Sequence, residues 1–156
     1  MRWLLACIVI ATTSLAARAA DVEIVRVWPR WHNAGDFDRI ENYFGHPTSG
    51  GEGLVVRSHA DQLAGLYFLV RVKTPNPVAG AKLILDVIRP DSPDPKRYTF
   101  PVSFPRKGGV AEVGLTDGDW PGGQAMHPVA WKLTLLSAGG AELASRQSFL
   151  WAKPGS

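Results

Sequence analysis

Four histidines, His32, His46, His59 and His127, are the side chains of this sequence best suited to hold a transition metal or to change charge near neutral pH. None stands at a His-x-His or His-x-x-x-His spacing, so a metal site needs loops to gather them, with Asp36, Asp61 or Met126 as further ligands. Met126 beside His127 joins soft sulfur to imidazole, a pairing suited to copper. With only two methionines in the chain, Met1 among them, exposed histidines without a metal are the simpler expectation.

Hydrolytic chemistry fares no better. Ser58, His59 and Asp61 bring three suitable types close in sequence, but neighbours on an extended segment point to opposite faces and form no triad among themselves. There is no Gly-x-Ser-x-Gly elbow, no dinucleotide fingerprint and no phosphate loop, since the cluster Gly50, Gly51 and Gly53 lacks the lysine such a loop requires. Asp117-Gly118-Asp119 resembles a fragment of a calcium loop without its late glutamate, and reads as a turn. No enzyme and no cofactor is expected.

Aromatic residues offer a different chemistry. Trp28, Trp31 and Trp120 lie beside Pro29, Arg30 and Pro121 in expected loops, where a flat ring can stack on a sugar or anchor a protein partner. Trp131 and Trp151 fall on apolar runs and are expected in the core.

The elements that position these side chains read as β-strands. Residues 22–28, 54–58, 66–73, 82–89, 98–104, 110–115, 129–136 and 142–151 are short alternating or β-branched runs closed by Gly, Pro, Asn or Asp. Pro29 is expected to end the first, and residues 90–95, with three prolines, to form a rigid loop. Pro101 and Pro105 push the 98–104 run toward a sheet edge. Trp131, Leu133 and Leu135 alternate with more polar neighbours before Gly139-Gly140, which predicts a terminal hairpin. Phe37, Ile40 and Phe44 fall at helical spacing, predicting a short helix near 36–44 with Asp36 as N-cap.

The chain begins with Arg2, an apolar run and Ala17-Arg18-Ala19, the layout of a signal peptide over 1–19. Cys7 lies within that run, so the mature chain has no thiol chemistry and no disulfide. Seventeen basic and fourteen acidic residues give +3; removing Arg2 and Arg18 leaves fifteen against fourteen, or +1. The cations are scattered along the sequence rather than gathered in a run, so a nucleic-acid partner is not expected. No stable membrane insertion is expected once the leader is cleaved. The remaining chain is divided as one domain over 20–151 and a disordered tail over 152–156. An absence of Asn-x-Ser/Thr acceptors, with the missing cysteines, favours a bacterial envelope or secreted protein.

Together the strand at 66–73, the long strand at 82–89 and the terminal hairpin closing on Ser148-Phe149-Leu150-Trp151 resemble the immunoglobulin-like and fibronectin-like sandwiches of secreted bacterial proteins. The 54–73 block and that closing tetrapeptide also look like a small uncharacterised secreted bacterial family. The resemblance implies a single antiparallel β-sandwich of seven to eight strands and no particular activity. The expected role is a non-catalytic binding module, periplasmic or extracellular, whose partner is another envelope or extracellular protein. A carbohydrate-binding module and a periplasmic copper carrier are the alternatives.

Overall fold

The computed structural model describes residues 21–37 and 54–151. The expected leader over 1–19, residues 38–44 of the expected helix, His46, the glycine cluster at 50–53 and the expected tail over 152–156 lie outside the described residues.

Eight strands follow one another: β1 (Glu23–His32), β2 (Leu54–Arg57), β3 (Gly65–Lys73), β4 (Val78–Arg89), β5 (Ser92–Phe104), β6 (Gly109–Thr116), β7 (Ala130–Leu136) and β8 (Glu142–Gln147). They form two sheets, ordered β1-β3-β6-β2 and β5-β4-β7-β8. Setting β2 aside, three strands face four in the immunoglobulin-like arrangement expected from the sequence. Pairing is antiparallel except between β2 and β6, which run parallel.

Period-two alternation supplies the core. Phe68, Val70 and Val72 of β3, Ala111, Val113 and Leu115 of β6, Leu83, Leu85 and Val87 of β4, and Leu133 and Leu135 of β7 turn inward and are buried together. The terminal hairpin forms as expected, with Gly140 at φ 86° supplying the left-handed residue its turn needs. Trp131 packs edge-on against Phe68 at 6.1 Å, at the margin of this core. Trp151 instead lies in a turn after β8, where its amide donates to the Ser148 carbonyl, while neighbouring Phe149 is 84% exposed.

Two proline expectations need correction. Pro29 does not end β1, which continues to His32, and the loop expected over 90–95 shrinks to a turn at Pro90 and Asp91 before β5 runs through Pro93 and Pro95. Both strands are sheet edges, where a residue without an N–H leaves no ladder bond unmade if that position faces outward. Pro101 sits the same way, opposite Lys82 in an unbroken register.

Residues 34–37 are helical, but Asn33 rather than Asp36 holds the cap position. The Asp36 carboxylate accepts from the Asn33 amide at 2.8 Å, one half of a capping box, while the Asp36 amide donates to the Asn33 carbonyl at 3.1 Å and the Asn33 side chain accepts from Trp31.

Candidate functional site

The two sides of the sandwich close differently. Along β1 and β8, the Arg146 guanidinium donates from Nη1 to the carbonyls of Ile24 at 3.0 Å and Val25 at 2.6 Å, bridging the two sheets. Along β2 and β5 no such strap is present among the described residues, and residues of both strands line a cleft of about 410 Å³. A second hollow of about 330 Å³ continues it past Pro101, which lines both, toward the exposed side chain of Leu54.

The cleft is built by long-range contacts. Thr116, buried at the end of β6, donates its amide to Ser58 Oγ at 3.0 Å and its hydroxyl to the His59 carbonyl at 3.1 Å, while the His59 amide donates to Thr116 Oγ1 at 3.1 Å. That clamp fixes residues 58 and 59 beside the 3-10 turn Asp117–Asp119, whose first residue takes φ 53°. His59 Nε2 then stands 3.2 Å from Asp119 Oδ2. Asp119 is held in turn by Arg89, which is buried at the end of β4, donates to the Asp119 carbonyl at 3.0 Å and pairs with Asp91 at 2.9 Å.

Across the cleft, β5 contributes Arg97, Tyr98, Thr99 and Pro101, and β2 contributes Val56 and Arg57. Burial, reinforced by the nearby Asp119 charge, pushes the Tyr98 phenol up to about 12. Its hydroxyl is buried, and the Asp119 oxygens stand outside hydrogen-bonding geometry with it. The cleft is lined mainly by polar groups, with Val56, Tyr98, Phe100 and Pro101 supplying its apolar part. Ser58 is committed to Thr116 and does not face His59 as a nucleophile would.

A second cluster occupies the outer face of the β1-β3-β6-β2 sheet. Tyr67 is fully buried there although it points away from the sandwich core, because His32, Phe37 and Arg57 cover it. Its hydroxyl donates to the Leu63 carbonyl at 2.6 Å and accepts from Arg57 Nε at 2.8 Å, and the Arg57 guanidinium lies 4.7 Å over the Phe37 ring. Burial raises the Tyr67 pKa, against the lowering influence of Arg57. Gly114 sits directly opposite Tyr67 on β6, and a Cβ there would collide with the phenol ring. His32 Nδ1 is 3.8 Å from Asp36 Oδ2 and its Nε2 is 3.9 Å from Glu112 Oε2.

The residues singled out by sequence are dispersed. Trp120 is not a loop ring open to a ligand: it is 3% exposed and packs into the core. Trp28 and Trp31 lie on β1 rather than in a loop and point to opposite faces, Trp31 toward the core with its indole N–H donating to Asn33 at 2.9 Å. The three form no shared stacking platform. His32 is the last residue of β1, not a loop residue, and only 8% exposed; His59 lines the cleft; His127 is exposed in the segment before β7. Among the described residues no three His, Cys, Asp or Glu side chains gather to hold a metal ion. Arg97, Tyr98 and Tyr67 were not visible as site residues in sequence, since their partners lie on other strands, and Asp119 was weighed only as part of a calcium-loop fragment, not as a partner of His59.

No protein-family model and no curated protein matches the chain.

Proposed function

We propose that this protein is a non-catalytic binding module of the bacterial envelope and engages another protein through the open β2–β5 side of its sandwich. The observation that carries this reading is the cleft itself. It sets hydrogen-bonding and charged side chains beside a smaller apolar patch, and it adjoins, through Pro101, the more apolar hollow beside exposed Leu54. An apolar side chain of a partner fits the apolar patch, and polar groups beside it meet His59, Asp119 and Thr99. Engagement of Ser58 by Thr116 weighs against a hydrolytic role for the His59–Asp119 pair. Augmentation of the β5 edge is disfavoured by Pro93, Pro95 and Pro101, which interrupt the row of amides a new strand would pair with.

Site-specific photo-cross-linking in producing cells tests this. A photoreactive residue at Thr99, on the cleft wall, is expected to give one discrete adduct that the same residue at Ser145, exposed on β8 at the opposite edge of the same sheet, does not. Identical adducts from both positions, or none from Thr99, overturn the reading.

A further inference from the structure

Cations that are scattered in sequence meet on the outer face of the β1-β3-β6-β2 sheet. The register sets Arg26 of β1 directly opposite Arg71 of β3, Trp28 opposite Leu69, and Arg30 opposite Tyr67, with Lys73 opposite Glu23 at the far end. Since directly paired residues share a face, Arg26, Trp28, Arg30, Arg71 and Lys73 all point outward, away from Val27, Val70 and Val72.

The four basic side chains are exposed, and none has a carboxylate partner among the described residues. Two arginines facing each other across a strand pair repel, and the acids nearest them on this face, Glu23 opposite Lys73 and Glu112 opposite Leu69, are diagonal neighbours that form no ion pair with either. The Arg26 guanidinium lies 4.4 Å over the half-buried Trp28 ring and covers that face, so a sugar stacks there only as Arg26 swings off the ring toward an acid group. From Lys73 to the level of Arg30 spans six residue steps, about 20 Å, on a ribbon only two strands and about 5 Å across.

We infer that this β1–β3 stripe binds a linear, carboxylate-bearing polysaccharide, with Arg26, Arg71, Arg30 and Lys73 pairing with the acid groups and Trp28 stacking on a sugar ring. The stripe is narrow and follows the strands, so it fits an extended chain better than a planar lipid surface. The ring between the arginines gives a sugar face something to lie on. The site stands apart from the cleft and does not depend on it.

Retention and fluorescence titration of the purified protein on polygalacturonate test the inference, with neutral dextran, single-stranded DNA and phosphatidylglycerol vesicles as comparisons. Binding to polygalacturonate is expected at low ionic strength and should fade as salt screens the stripe. Arg26→Glu with Arg71→Glu should weaken it by about tenfold or more. Trp28→Ala should weaken it while leaving the salt dependence in place. Arg71→Glu alone is a folding control, because it replaces a repulsive cross-strand pair with an attractive one; that variant should lose affinity while melting no lower than the parent. No binding to polygalacturonate, equal retention on dextran, equal or tighter binding of DNA or vesicles, or unchanged affinity in the double variant overturns the inference.

Discussion

On the outer face of the β5-β4-β7-β8 sheet, Asp86 stands between two cations, whereas on the outer face of the other sheet Arg26 stands opposite Arg71 with no acid between them. Asp86 takes a two-pronged bond from Arg97, at 2.7 and 3.1 Å, and lies directly across from Lys132. Both faces arise from the same strand alternation, and both carry arginine. One spends its charge on its own neighbours and the other leaves it outward, which is the difference between a face that serves the fold and one available to a partner.

The largest expected effect comes from the covered part of the arginine-bearing face. Tyr67→Ala removes a fully buried ring beneath Phe37 and His32 and should cost about 3–5 kcal/mol, whereas Thr134→Ala on the opposite outer face should stay within about 0.5 kcal/mol. Urea denaturation of both variants measures the contrast. Equal losses would mean that the Tyr67 cluster packs no more tightly than ordinary surface. Gly114→Ala, whose new methyl meets the Tyr67 ring, should fall between them at about 1–3 kcal/mol.

Between the two faces lies the cleft, where Tyr98 links stability to alkaline pH. Its folded pKa of about 12 stands above the ordinary phenol value near 10, so the neutral form is favoured by folding. That contribution is complete below about pH 10 and is lost as pH climbs toward 12. Tyr98→Phe should therefore lose less stability than the parent over that interval, and tyrosinate absorbance should show one phenol with a midpoint near 12. A parallel pH profile in the variant would place the coupling elsewhere.

Much of the scaffold could be read from the chain, and the sites could not, for a physical reason. Trp131, Leu133 and Leu135 alternate up to a Gly-Gly turn, so local periodicity alone yields the β7–β8 hairpin. Pro29, Pro93 and Pro95 misled because a proline's effect depends on whether the strand has a neighbour on that side, which is a property of the sheet order. Trp120 sits in a turn-rich stretch that reads as loop, yet its ring reaches the core. His59 and Asp119 are brought together by the Thr116 clamp, and no spacing rule spans that separation. The basic stripe is the clearest case: positions 26, 30, 71 and 73 look dispersed until the β1–β3 register lays them side by side.

A weaker perturbation acts on the paired face. Asp86→Asn keeps the shape but removes the charge that separates Arg97 from Lys132, and should lower the melting temperature by less than Tyr67→Ala does. Because Arg97 is solvent-exposed, the loss should shrink with added salt. A loss that does not change with salt would show that Asp86 acts through packing rather than charge.

The smallest effect has the opposite sign. Arg71→Glu places a carboxylate across from Arg26 and gives the β1–β3 ribbon the kind of pairing that Asp86 already provides to its own sheet. Cross-strand pairs of opposite charge contribute about 0.2–1 kcal/mol, so the variant should be slightly more stable than the parent, with the gain fading at high salt. If it is instead destabilised at low salt, Arg26 and Arg71 do not repel in the folded protein and the contrast between the faces disappears. If it is stabilised, the parent retains a pair that a single substitution improves, and a cost of that kind persists where the unpaired charge has work to do outside the fold.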